Sequence, residues 1–131
     1  AQLPEALSRL ARRVTETSGV DVGFETTGDA RPLLPDLEET LYRVAQEALA
    51  NAEKHAKASR IGLTLSYSDD LVLLDVVDDG VGFHRGDRGE GTGFGLEAMH
   101  RRVRRVAGTL VIESAPGGGT AVNAQVPAIP A

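Results

Sequence analysis

Residues 41–56 read LYRVAQEALANAEKHA, and whether this stretch forms a helix decides the fold. At about 100° per residue, Leu41, Val44, Ala45, Ala48, Leu49, Ala52 and Ala56 gather into one apolar stripe. Glu47, Asn51 and Lys54 line one edge of that stripe, so three polar side chains on neighbouring turns face a common space. Asn offers a hard oxygen to a cation that keeps most of its waters, Glu can take a proton, and Lys can neutralise phosphate. The same spacing also suits a half-exposed helix whose polar residues merely border its core face, so the choice falls to the rest of the chain.

With 131 residues, 41% of them hydrophobic, the chain suffices for one domain with one core over residues 1–131. A formal net charge of −5 argues against general nucleic-acid binding, which calls for a broad basic field, so a polyanionic ligand would have to be handled locally. The absence of Trp, with only three Phe and two Tyr, leaves no base-stacking platform either. There is no cysteine, which excludes disulfide scaffolds, thiolate metal sites and thiol nucleophiles. No run approaches the roughly 20 apolar residues of a membrane span, and no signal-peptide pattern opens the sequence. A soluble, cytoplasmic domain is expected, with any membrane anchor lying outside it.

Around the central helix, expected to run to about Ala58, the pattern places the other elements. Leu3, Leu7, Leu10 and Val14 mark a helix over about 4–17, ended by Ser18 and Gly19; Val20, Val22 and Phe24 alternate as a half-buried strand. Ile61, Leu63 and Leu65 alternate again, and after a turn at 68–70 the nearly continuous apolar run over 71–77 reads as a buried second strand of a hairpin. Residues 84–93 have no periodicity and read as a surface loop. Leu96, Met99, Val103 and Val106 put a helix over 94–106; strands follow over 109–113 and 120–126, and the tail AIPA reads as frayed. The order predicts an α/β (α+β) two-layer sandwich, a mixed and largely antiparallel sheet of about five strands with about three helices on one face.

Three glycine clusters follow the central helix: Gly80 and Gly82 after a strand, Gly91, Gly93 and Gly95 before a helix, and Gly117 to Gly119 between strands. A helix N-terminus presents unpaired N–H groups to an anion. Neither G-x-G-x-x-G nor G-x-x-x-x-G-K-[ST] occurs, so the Rossmann and P-loop mechanisms are not supported. Asp78 ends an apolar strand, where a carboxylate is costly unless it meets a donor such as the exocyclic amine of adenine; equally, Asp78 or Asp79 could simply cap the turn.

Taken together, E-x-x-x-N-x-x-K-H (Glu47, Asn51, Lys54, His55), D-x-G-x-G (Asp78, Gly80, Gly82), G-x-G-x-G-L (Gly91, Gly93, Gly95, Leu96) and G-x-G-T (Gly117, Gly119, Thr120) resemble, in order and spacing, the N, G1, G2 and G3 boxes of the GHKL (Bergerat-fold) ATPases. That superfamily includes gyrase, the large heat-shock chaperone, histidine kinases and MutL. LYRVAQEALANAEKHAKAS, VDDGVGF and GFGLEAMHRRVRRVAGTLVIESAPGGGTAV resemble the catalytic, ATP-binding domain of sensor histidine kinases that partner NarL-type response regulators. Departures are small: Ala98 and Ala107 stand where that family usually has glycine, and His100 where arginine is common.

The resemblance implies Mg-ATP as ligand and protein-histidine kinase activity. Asn51 would bind magnesium, Glu47 would act as base or position the attacking group, and Lys54 would meet phosphate. Asp78 would accept from the adenine amine with Thr120 assisting, Gly80 and Gly82 would let the backbone approach the base, and Gly91, Gly93, Phe94, Gly95 and Leu96 would flank the phosphates. Residues 84–91 would form a lid. His55, which falls within the apolar stripe, is equally readable as a packed histidine or a phosphate contact. The run Arg101, Arg102, Arg104 and Arg105 reads as a solvated helix face, with Arg102 near enough to Gly95 to reach a phosphate.

The implied partners are the kinase's own dimerisation and phosphoacceptor domain, absent from this chain, and a NarL-type response regulator. The full-length kinase would be a homodimer and the isolated domain a monomer. Neither His84 nor His100 carries the surroundings of an acceptor histidine. Two other functions fit the same boxes: an ATP-sensing module without phosphotransfer, and an anti-sigma-factor serine kinase.

Overall fold

The computed structural model describes residues 2–54, 57–82 and 95–131. In chain order it contains α1 (Gln2–Ser18), β1 (Asp21–Thr27), α2 (Pro35–Lys54), β2 (Arg60–Tyr67), β3 (Leu71–Asp78), α3 (Leu96–Arg105), β4 (Thr109–Ser114) and β5 (Thr120–Pro127). The five strands form one sheet in the order β1-β2-β3-β5-β4. Only β1 and β2 are parallel, as expected for strands joined by a crossover that contains a helix, here α2. The predicted two-layer architecture is therefore the observed one.

The helical stripe is buried as its spacing requires. Leu41, Val44, Ala45, Ala48, Leu49 and Ala52 of α2 are all in the core, joined by Leu37 and Thr40, while Glu47 and Asn51 are half-buried and Lys54 is exposed. Pro35 starts α2, a position where its missing N–H costs nothing. Among its partners are α1, through Leu3, Leu7 and Leu10, and the inward rows of the sheet, Ile61, Leu63 and Leu65 of β2 and Val72, Leu74 and Val76 of β3.

Four expectations are corrected. The central helix does not reach Ala58: it is described to Lys54, Lys57 has a left-handed φ of 52°, and the Ala58 N–H donates to the Ala52 carbonyl. The run 71–77 is not buried on both sides. Val72, Leu74 and Val76 face the helices, whereas Val77 on the opposite face is 52% exposed, because all the helices cover the same side. The uncovered face is held by polar contacts such as Asn123 Nδ2 donating to Asp75 Oδ1 at 2.7 Å. The tail is not frayed: the Leu34 N–H donates to the Ile129 carbonyl and Leu33, itself buried, bridges Pro130, so the last residues run antiparallel to the entry of α2. Finally, β4 continues one residue further, to Ser114.

The end of α3 is closed by a Schellman arrangement. Gly108 N–H donates to the Val103 carbonyl at 2.9 Å and Ala107 N–H to that of Arg104 at 3.0 Å. Ala107 occupies the left-handed position at φ 60°, where glycine is usual. Among the described residues no helix is long and apolar enough to cross a membrane.

Candidate functional site

Chain topology brings the C-terminal end of α2 to the end of the sheet where Asp78 and Thr120 lie side by side. A short link joins the C-terminal end of α2 to β2, whose first residues lie beside the end of β3, with Ile61 paired to Asp78. Asp79 ties that corner together. Its Oδ1 accepts the N–H groups of Ser59 at 2.9 Å and Arg60 at 3.0 Å, and its Oδ2 accepts the Ser59 hydroxyl at 2.7 Å. These donors hold the Asp79 carboxyl down at about 2.

Asp78 has the opposite character. It is 8% exposed, and its burial pushes the carboxyl above the usual carboxylate range, against the opposing effect of backbone N–H groups from Gly80, at 2.8 Å from Oδ1, and Thr120. The turn-capping reading holds for both members of the Asp pair, since Asp78 accepts the Gly80 N–H two residues on. Asp79 caps the corner, and Asp78 is a buried acceptor at the strand end.

Asp78 also begins a row. The register sets Asp78 beside Thr120 and Thr120 beside Ser114, three polar side chains across β3, β5 and β4 on the helix-covered face. A cavity of about 340 Å³ opens at these strand ends, where Asp78, Ser114 and Thr120 are joined in its lining by Val77, Glu113 and Ala121, the neighbouring row on the uncovered face, and by Ala115, Gly118 and Gly119. Its wall depends on backbone packed against backbone. A Cβ on Gly82 would strike the Ala115 carbonyl and one on Gly119 the Asp78 carbonyl, both at positive φ, while the Gly117 N–H donates to the Val81 carbonyl. The close approach that Gly82 permits is therefore to the β4–β5 turn itself.

On the helical side, Glu47 lies against Gly95, the residue preceding α3, which has φ 68° and ψ 17°. The start of α3 and the middle of α2 thereby meet. A second cavity of about 340 Å³ runs between these helices, with Glu47, Arg43, Met99 and Arg102 in its lining, so Arg102 is indeed on the Glu47 side of α3. Arg43 is engaged with Glu39 at 2.8 Å and with Gln46 Oε1 at 2.9 Å. Leu96 is buried, which leaves its backbone rather than its side chain to face a ligand.

His55, Gly91, Gly93, Phe94 and the lid residues 84–91 lie outside the described residues. Sequence reasoning missed Ser114. Continuing the alternation of Leu110 and Ile112 by one more residue would have put it on the inward face beside Thr120. Arg43 gave no such signal, because its neighbour across the groove comes from α3.

The model of the family described as "Histidine kinase-, DNA gyrase B-, and HSP90-like ATPase" matches residues 36–130. The chain is 36% identical over 125 residues to the oxygen sensor histidine kinase NreB of Staphylococcus carnosus, covering 95% of this chain and 36% of that protein. It is 30% identical over 128 residues to the sensor histidine kinase LiaS of Bacillus subtilis, covering 98% and 35%. The chain thus spans about a third of the length of these curated relatives. In fold it is similar to the histidine kinase domain of the blue-light activated kinase EL346 from Erythrobacter litoralis, with a TM-score of 0.77 at 22% identity over 96% of this chain and 61% of that one. The four boxes, the five-stranded sheet and the match over residues 36–130 agree: this chain belongs to the histidine kinase-, DNA gyrase B- and HSP90-like ATPase family, and it is a histidine-kinase-like ATP-binding catalytic domain.

Proposed function

We propose that this domain binds Mg-ATP and transfers its γ-phosphoryl group to a histidine on a separate dimerisation segment of a longer kinase, from which it passes to an aspartate of a NarL-type response regulator. The observation that carries this reading is the meeting of Glu47 with Gly95 at the start of α3. A carboxylate able to take or orient a proton is thereby set beside backbone N–H groups able to hold phosphate.

The adenine amine is received by Asp78 and Thr120. Lys54, exposed at the end of α2, neutralises phosphate. Asn51 suits magnesium, which takes one or two protein oxygens and completes its shell with phosphates and water; it supplies charge neutralisation between the phosphates. No group of three or more His, Cys, Asp or Glu able to hold a metal occurs among the described residues, so the amide and the nucleotide are the fitting ligand set. Phosphoryl transfer needs mainly positioning and neutralised charge, and these side chains provide both. The parent kinase acts as a homodimer with this domain on the cytoplasmic side.

The test supplies the acceptor segment of the same kinase in trans. Glu47→Ala should lower transfer by about 10²- to 10⁴-fold, the usual worth of a general base, while ATP binding stays within about threefold of wild type. A Glu47→Ala domain that transfers at the normal rate overturns the role of Glu47. ATP bound by the full-length kinase but never transferred would make the domain a nucleotide sensor.

A further inference from the structure

The groove between α2 and α3 turns basic just past Glu47. Asn51, Glu47 and Arg43 follow one another along α2 at one-turn intervals, so Arg43 stands about 12 Å along the helix axis from Asn51. Glu39 and Gln46 hold its guanidinium in place. Arg102 reaches the same space from α3, leaning back over Ala98, four residues before it. Ala98 and, on α2, Ala50 leave the floor of the groove open. Among the described residues Arg102 has neither a hydrogen bond nor an ion pair. The chain as a whole is acidic, with a net charge of −5, yet α3 carries four Arg against one Glu. A guanidinium left uncommitted beside a carboxylate, in an acidic chain, suits an anion that comes from outside.

We propose that this groove docks an acidic side chain of the acceptor segment, with Arg102 as the residue that recognises it and Arg43 as a second, fixed guanidinium. The inference rests on the phosphotransfer reading above and adds to it how the domain selects its acceptor. A nucleotide held by Lys54, Asn51 and the start of α3 brings its terminal phosphate to Glu47. The groove continues beyond that point, where the segment receiving the phosphoryl group has to lie. That segment enters a place crowded with negative charge from Glu47 and the phosphates. Two guanidiniums one turn further on offset the repulsion for a segment that bears a carboxylate, whose two oxygens match the planar fork of an arginine. The same charges steer the encounter and disfavour a segment with a basic residue at that place.

Transfer from this chain to the acceptor segment, followed over acceptor concentration at saturating Mg-ATP, tests the proposal. Arg102 is exposed, so substitution there leaves the core intact. Arg102→Glu should raise the acceptor KM at least about tenfold, while kcat and the calorimetric affinity for Mg-ATP stay within about threefold of wild type. Arg102→Gln, which keeps the length and loses the charge, should raise KM by less. The wild-type KM should climb with ionic strength, and that of Arg102→Gln should climb less steeply. Changing the acidic residues of the acceptor segment to Arg one at a time should find one that weakens transfer by wild type and restores it in Arg102→Glu. An acceptor KM unchanged in Arg102→Glu overturns the proposal, as does the failure of every such reversal to restore transfer. A loss of Mg-ATP affinity beyond about tenfold also overturns it, because Arg102 is then a phosphate ligand. Wild type that binds Mg-ATP and transfers nothing overturns the phosphotransfer reading as well, and is recognised before any variant is made.

Discussion

The Glu47 carboxylate rests on the bare Cα of Gly95: a Cβ built there would overlap Oε1 and come within 2.6 Å of Cδ. Two demands coincide at this glycine, a left-handed φ of 68° and no volume on the side of α2. Gly95→Ala should therefore cost about 1–2 kcal/mol from the backbone alone and push the Glu47 side chain aside. Thermal denaturation measures the first effect, and phosphoryl transfer to the acceptor segment measures the second. In a Glu47→Ala background the same change should have little further effect on transfer, because the group it displaces is gone.

Adjacent carboxylates at the end of β3 should give opposite pH signatures. Asp79, held down at about 2, contributes stability that is present above its ordinary 3.8 and lost as pH falls through about 2. Asp79→Asn should lose stability at neutral pH, and the gap from wild type should close as pH falls from about 5 to 2. Asp78, pushed upward by burial, contributes stability that is fully present below 3.8 and lost as pH rises through its raised value. Relative to wild type, Asp78→Asn should gain stability as pH rises toward neutrality while losing ATP affinity by more than about tenfold. Urea denaturation across pH, with calorimetry at neutral pH, checks both.

Ala107 holds the left-handed position of the Schellman closure at φ 60°. An L-residue with a Cβ is strained there by about 1–2 kcal/mol, and glycine would relieve that while adding entropy to the unfolded chain. Ala107→Gly should raise stability by about 0.5–1 kcal/mol, read as a shift in denaturation midpoint at constant m-value.

Tyr67, 6% exposed, buries a hydroxyl that finds no partner among the described residues. Burial, and next the nearby Glu38 carboxylate, push its ionisation upward, with Arg31 over the ring opposing. An unsatisfied buried hydroxyl is unfavourable, so Tyr67→Phe should be neutral or stabilising by up to about 1 kcal/mol. Nucleotide affinity should not change, since Tyr67 pairs with Val72 at the end of the sheet opposite Asp78. A loss of stability beyond about 1 kcal/mol in denaturant titration would show a partner for that hydroxyl.

Local pattern alone determined the helices, the strands and the stripe of α2, because 3.6-residue and two-residue periodicities are written into consecutive positions. It also singled out Glu47, Asn51 and Asp78 as residue types suited to a ligand, while Thr120 entered only through the resemblance to the GHKL boxes. It misplaced what depends on neighbours distant in the chain. The run 71–77 looked buried because hydropathy does not say which sheet face the helices cover. The tail looked frayed because its partners stand almost a hundred residues earlier, beside Leu33 and Leu34.

Only the tertiary structure decided that Asp79 caps a corner while Asp78 turns inward, that Glu47 meets Gly95, and that Ser114 shares a proton with Thr120. Each of these is a register or a packing contact between separate elements. Sequence periodicity fixes which face a side chain takes, but the atom it meets there is fixed by the element that folds against it.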